Sequence, residues 1–135
     1  VQGAVNEWVS DPAAATLKYG AINAWDTSTV TSLAYVFQDK GTFNDDISAW
    51  DTSKVVSMES TFRGASTFNR PLSTWDTSKV VSMSLTFYLA KSFNQPLGTW
   101  NTAAVASMYA MFNVANAFNQ PLGTWNTASV TTMSN

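Results

Sequence analysis

The chain has 135 residues, of which 45% are hydrophobic and 12% charged, and it contains no Cys and no His. The length is enough for one domain, and the hydrophobic share allows a core, which argues against a disordered chain. Without Cys and His, disulfides, thiol nucleophiles and the usual zinc and haem sites are excluded, so we predict no catalytic residue, cofactor or metal. The seven basic side chains are scattered, and no apolar run reaches the ~18 residues of a membrane span, which argues against nucleic acid and membrane insertion.

Residues 1–21 are predicted to form an N-terminal helical cap. Four apolar residues share one face of a first helix: Val1, Val5, Trp8 and Val9. The sequence Ser10-Asp11-Pro12 is typical of a helix N-cap followed by proline at the first helical position. A second short helix is then expected over Ala13 to Tyr19, ending at Gly20. Because the end of a repeat array exposes its core, we expect this segment to cover that end, with Trp8 as its main contact.

A repeat of 25 residues fills the rest of the chain, 22–135. Its clearest mark is a tryptophan at a constant spacing: Trp25, Trp50, Trp75, Trp100 and Trp125. A Thr, a Val and a Leu or Met follow each Trp at fixed distances, and a Phe and then a second Phe followed by Asn come after each of the first four. We therefore predict four full repeats and a truncated fifth, in a chain that is a fragment of a longer one.

Within one repeat, the pattern predicts a strand, a turn and a short helix. Four apolar residues step by three and four, as on a helical face: Val105, Met108, Phe112 and Ala115. Thr102 is a candidate cap for that helix, and Pro121 places a turn in the Phe-Asn-Gln-Pro-Leu segment because proline disrupts a helix. Trp100 and Thr102, two residues apart, point to the same side of a short strand.

The predicted fold is therefore a repeat solenoid of leucine-rich-repeat type, with one short parallel strand, a turn and a short helix per 25-residue coil and an N-terminal helical cap. An all-β solenoid with coils of similar length is the alternative. The repeat ending at Asn135 is incomplete. We expect that end either to dock on a neighbouring subunit or to continue into further repeats.

The segment 118–133, Phe-Asn-Gln-Pro-Leu-Gly-Thr-Trp-Asn-Thr-Ala-Ser-Val-Thr-Thr-Met, resembles the repeat of BspA-like surface proteins and mycoplasma-type lipoproteins. The resemblance covers residues 22–135. It implies a leucine-rich-repeat-like fold, an extracellular or cell-surface location and a role in adhesion or protein–protein binding, and it implies no catalytic residue. An organelle lumen or a larger complex stays open as a location.

Several repeated columns invite a functional reading, but a structural one is stronger. We predict that the Trp residues form the core, that the Asn residues of the Phe-Asn pairs satisfy backbone groups in the turns, and that the Thr residues act as caps. Asp45 and Asp46 could offer oxygen ligands to a hard cation, yet no third acidic residue lies close in sequence, so we predict a solvated pair.

A candidate binding face follows from the alternation around each Trp. If Trp and the Thr two residues later point inward, their neighbours point outward as rows of short polar side chains: Thr74, Asp76, Thr99, Asn101, Thr124 and Asn126. The stretch from Ser92 to Asn135 has no charged residue, and interface centres are poor in charge. The predicted function is a non-enzymatic binding, adhesion or scaffold module for a protein or an extracellular polymer. Alternatives are a structural subunit built into a larger assembly and, third, binding to ice or to a carbohydrate surface.

Overall fold

Residues 1–134 are described by a computed structural model, which begins with two helices. Helix α1 is Gln2–Ser10 and helix α2 is Pro12–Tyr19. As the sequence predicts, the Asp11 side chain caps α2 by accepting a 3.0 Å hydrogen bond from the Ala14 N–H, and Gly20 follows its last residue with a positive φ of 75°. A short 3-10 helix, Ile22–Ala24, follows. None of the helices in 1–134 has the length and apolar character needed to cross a membrane.

Helix α1 lies against the first repeat. Val5 and Trp8 are buried, and the Trp8 ring meets the Trp25 ring edge-on, with centroids 5.8 Å apart. The Trp8 indole N–H donates to the Asp45 carboxylate at 2.8 Å. Trp8 is therefore the main contact between this helix and the repeats, as predicted, and Asp45 has a structural role as its hydrogen-bond acceptor.

The repeats are built from consecutive tight turns. Between 25 and 134 the structure contains no helix and no strand, only isolated parallel bridges that join one column, from Ser32 through Ser57, Ser82 and Ser107 to Thr132. In each repeat, alternate N–H groups donate to the next repeat, as Leu33 does to the Ser57 carbonyl at 3.0 Å. The N–H groups between them close turns within the repeat, as Val36 does to the Leu33 carbonyl at 3.2 Å. The repeats thus stack in register, one hydrogen-bonded on the next.

The predicted leucine-rich-repeat fold, with a strand and a helix in each coil, is wrong. Burial does recur at steps of three and four, through Val105, Met108, Met111 and Ala115. However, a four-residue turn joins residues that are three apart, as the Met111 N–H does with the Met108 carbonyl. Consecutive turns can therefore bury residues three and four apart without a helix. A helix would satisfy each N–H four residues back, whereas Met108 donates to the Thr132 carbonyl of the next repeat. No sheet forms in 1–134 either, because single bridges are separated by turns.

The core consists of columns of stacked aromatic rings. One column is Phe37, Phe62, Phe87 and Phe112, with neighbouring ring centroids 5.2 to 5.6 Å apart. The second Phe of each repeat and the Trp lie beside it, and each Trp indole from Trp50 onward donates to a carbonyl of the preceding repeat, as Trp75 does to Ile47 at 3.1 Å. The prediction that the Trp residues form the core is confirmed for Trp50, Trp75 and Trp100, which are 2 to 3% exposed.

The polar columns join the repeats. The Asn69 side-chain oxygen accepts from the Asn94 N–H at 2.9 Å, and this bond recurs in the neighbouring repeats, which confirms the predicted Asn ladder. The Thr column is not a set of helix caps, because there is no helix to cap. Instead, the buried Thr102 hydroxyl donates to the Asn126 carbonyl at 2.9 Å, and the preceding Thr residues do the same. Both columns therefore bond one repeat to the next.

Candidate binding face

The six residues predicted to bind are all exposed and lie in two adjacent rows along the stack. We call them the polar strip: Thr74, Asp76, Thr99, Asn101, Thr124 and Asn126. The alternation that predicted them is present without a strand, since Trp100 and Thr102 are buried and Asn101 between them is exposed. The structure brings the six side chains to one side of the molecule.

The Thr row of the strip is fixed by hydrogen bonds to the preceding repeat. The Thr99 hydroxyl donates to the Ser73 carbonyl at 2.8 Å, and the Thr124 hydroxyl donates to the Gly98 carbonyl at 2.7 Å. Thr74 makes the equivalent bond at 2.6 Å. Because the hydroxyl hydrogens are used internally, each Thr offers a partner the remaining lone pairs of its oxygen and its methyl group.

The second row is fixed by the local backbone. The side-chain oxygens of Asn101 and Asn126 accept from N–H groups two residues on, at 3.1 and 3.0 Å. Asp76 accepts from the Ser78 N–H at 2.9 Å. Hydrogen bonding by the Ser78 hydroxyl and N–H lowers the pKa of Asp76; Lys79 lowers it further and Asp51 opposes this. The Asn amide N–H groups stay available to a partner, so the strip offers short, rigid donors and acceptors.

The strip consists of three Thr hydroxyls, two Asn amides and one carboxylate, that of Asp76. Among residues 1–134, no three acidic side chains come together as a metal site. At the predicted acidic pair, Asp45 binds Trp8 and Asp46 accepts from the Ser48 N–H at 2.9 Å. This backbone bond, together with the Ser48 side chain and Arg70, lowers the pKa of Asp46.

A family model described as "Mycoplasma protein of unknown function, DUF285" matches residues 12–101 and 73–135. The chain belongs to this family. The DUF285 match is compatible with the mycoplasma-type repeat that the motif suggested. No curated protein and no solved structure matches the chain.

A second exposed surface of this DUF285 chain was not predicted from the sequence. Large apolar side chains are exposed where the turns face outward: Tyr35 at 47%, Tyr109 at 44% and Val114 at 41%. The sequence does contain a sign of this surface. These positions hold different residues in each repeat, whereas the positions that form the core hold the same or similar residues. An apolar cavity of about 250 Å³ also lies between the last two repeats, with Met108, Phe112, Trp125 and Met133 in its lining.

Proposed function

We propose that this chain is a non-enzymatic binding or scaffold module that presents the polar strip to another macromolecule, at the cell surface or outside the cell. The observation that supports it most is the ordering of the strip, where every side chain is both exposed and held by a hydrogen bond to the backbone. The BspA-like resemblance adds the location and the adhesive role to the proposal.

Rigid, short side chains favour docking on a broad surface. A side chain that is already fixed loses little conformational entropy when a partner covers it. From Thr99 to Asn126 the strip has no charge, so contact there does not require the desolvation of an ion. We therefore propose a flat or elongated neutral partner, centred on Thr99, Asn101, Thr124 and Asn126.

The test changes the charge of the strip and preserves its internal bonds. Lys at Thr99 or Asn101 would remove a structural hydrogen bond, whereas Asn101→Asp with Asn126→Asp keeps both acceptor oxygens. Aspartate already occupies the same column at Asp76. The matched control is Asn116→Asp, an exposed position outside the strip.

Binding would be measured by quartz microbalance on three films: dextran, alginate and collagen. We expect saturable binding of the native chain to a neutral film and about tenfold weaker binding of the double variant, with the control unchanged. Absence of saturable binding to all three films, or equal binding by the double variant, would count against the strip. Hydrolase turnover that a point substitution abolishes would contradict a non-enzymatic module.

The alternative function is a structural subunit of a larger assembly, for which the apolar cavity beside Trp125 would be a docking point. Met133 at its edge is 54% exposed, although a further repeat would cover the same surface equally well. Stoichiometric co-purification with other subunits would favour this alternative, and recovery as a free monomer would favour the reversible binder. Inhibition of ice recrystallisation that Asn101→Asp removes would favour the third candidate, an ice-binding surface.

A further inference from the structure

A second surface, chemically unlike the polar strip, spans three neighbouring repeats. We call it the tyrosine face and define it by six residues: Arg63, Leu85, Tyr88, Leu89, Tyr109 and Val114. Backbone bonds hold these residues side by side, since the Leu85 N–H donates to the Tyr109 carbonyl at 2.8 Å and the Arg63 guanidinium lies 5.7 Å from the Tyr88 ring centre. The face is therefore continuous.

The tyrosine face lies across the core from the polar strip. The Phe87 and Trp100 rings meet inside the stack, with centroids 6.0 Å apart. Leu85 and Tyr88 lie close to Phe87 in sequence, and Thr99 and Asn101 lie on either side of Trp100. A partner on one surface thus leaves the other free.

The fold itself does not need large apolar residues on this face. Leu85, Leu89 and Val114 all have left-handed backbone conformations, with φ of 57°, 59° and 59°, a region that disfavours such side chains. At the column of Leu89 and Val114, another repeat has Gly64, and at the column of Leu85 another has Ser60. The chain thus keeps the half-buried Leu85 and Leu89 and the exposed Val114 in strained positions where its own repeats show that small residues fit.

Arg63 supplies the polar part of the face. Its Nε is buried and has no hydrogen-bond partner within 1–134, and the one ion pair in that part of the chain is formed elsewhere, by Lys18 and Glu7. A buried donor without an acceptor is costly. A partner cannot reach the buried Nε, so its carboxylate would accept hydrogen bonds from the terminal nitrogens of the half-buried Arg63 guanidinium.

We propose that the tyrosine face binds a short protein segment with an apolar side chain next to an acidic residue. Tyr and Arg, together with Trp, are the residue types enriched at protein-binding hot spots. The aliphatic Leu85, Leu89 and Val114 favour a protein partner over a glycan, because they complement apolar side chains and offer nothing to sugar hydroxyls. Three repeats at ~4.8 Å spacing match the length of roughly three or four extended residues.

The experiment uses a displayed library of random twelve-residue peptides, selected on the immobilised full chain. The test variants copy residues that other repeats have at the same positions: Leu89→Gly from Gly64, Tyr109→Ser from Ser84 and Arg63→Gln from Gln38. Circular dichroism would verify that each variant folds. The strip variant Asn101→Asp/Asn126→Asp is the control, since it changes the opposite side.

We expect the selected peptides to share an acidic residue beside an apolar one. A synthetic peptide of that consensus should lose about tenfold or more in affinity for Leu89→Gly and Arg63→Gln, and keep its affinity for the strip variant. Selection without this pattern, or a consensus peptide that binds folded Leu89→Gly as well as the native chain, would overturn the proposal. Binding of alginate that depends on Tyr109 in place of peptide binding would also overturn it and identify a glycan surface. If the strip variant loses binding to the films and keeps binding to the peptide, the result bears on the polar strip alone. The two proposals can therefore be refuted independently of each other.

Discussion

Trp75→Ala tests whether the stacked aromatic core stabilises the molecule. Trp75 is 3% exposed, its ring lies 5.9 Å from that of Phe62, and its indole N–H donates to the Ile47 carbonyl at 3.1 Å. Truncation of a buried Trp costs about 3–5 kcal/mol, and the carbonyl that loses its donor adds about 1 kcal/mol or more. We expect a loss of about 4–6 kcal/mol, which for a chain of this size lowers the melting temperature by roughly 15–25 °C.

Two further variants separate the contributions. Trp75→Phe keeps most of the ring and removes the indole N–H, so we expect it to cost about 1–3 kcal/mol. Trp125→Ala removes the same hydrogen bond, to Leu97 at 2.9 Å, but its ring is only half-buried, so it should cost clearly less than Trp75→Ala. Thermal and urea unfolding followed by circular dichroism would measure all three. Equal losses for Trp75→Ala and Trp125→Ala would refute a stack in which each repeat is stabilised by its two neighbours.

Three more substitutions test the turns, the acidic column and the Asn ladder. Val114→Gly should lower the free energy of unfolding by about 1–2 kcal/mol less than Val81→Gly does, because only Val114 has a positive φ. The two side chains are similarly exposed, at 41% and 49%, and urea unfolding would measure both. Equal losses would show that the left-handed turn is unstrained. Hydrogen bonds from Ser28 lower the pKa of Asp26. The stabilisation that they give is therefore present above the unfolded-state pKa of about 4 and is lost as the pH falls below it. Asp26→Asn should make the melting temperature fall less between pH 5 and pH 2, and an unchanged pH profile would contradict this. Asn94→Ala should cost about 1–2 kcal/mol because the Asn119 N–H loses its 2.9 Å acceptor, whereas the exposed Asn116→Ala should stay within about 0.5 kcal/mol.

The constant columns could be predicted from the sequence because each has one physical task. A Trp every 25 residues can be buried in every repeat only if the repeats stack in register, and the Asn ladder follows from the need to satisfy backbone groups in buried turns. The exposure of Asn101 between buried Trp100 and Thr102 followed from simple alternation. These predictions depend only on the spacing of the residues along the chain, so they hold whichever backbone conformation the repeats adopt.

The secondary structure could not be predicted, because two conformations share the same spacing. Burial at Val105, Met108, Met111 and Ala115 is compatible with a helix and with consecutive turns. Only the acceptor of each backbone N–H group distinguishes the two conformations. That acceptor depends on the neighbouring repeat. For the same reason the partner of the Thr102 hydroxyl, a carbonyl 24 residues later, could not be derived from one repeat alone.

The hydrogen-bonding pattern also explains how one scaffold presents two unlike surfaces. Alternate backbone N–H groups bond the next repeat whatever the outward side chain is, as Leu85 and Ala110 show in equivalent positions. Outward columns are therefore free to vary while the Phe and Trp columns are constrained by stacking. Variation has given short polar residues on the side of Asn101 and aromatic and aliphatic ones on the side of Tyr109. Since the two sides share only the core, substitutions on one surface should leave the proposed binding at the other unchanged.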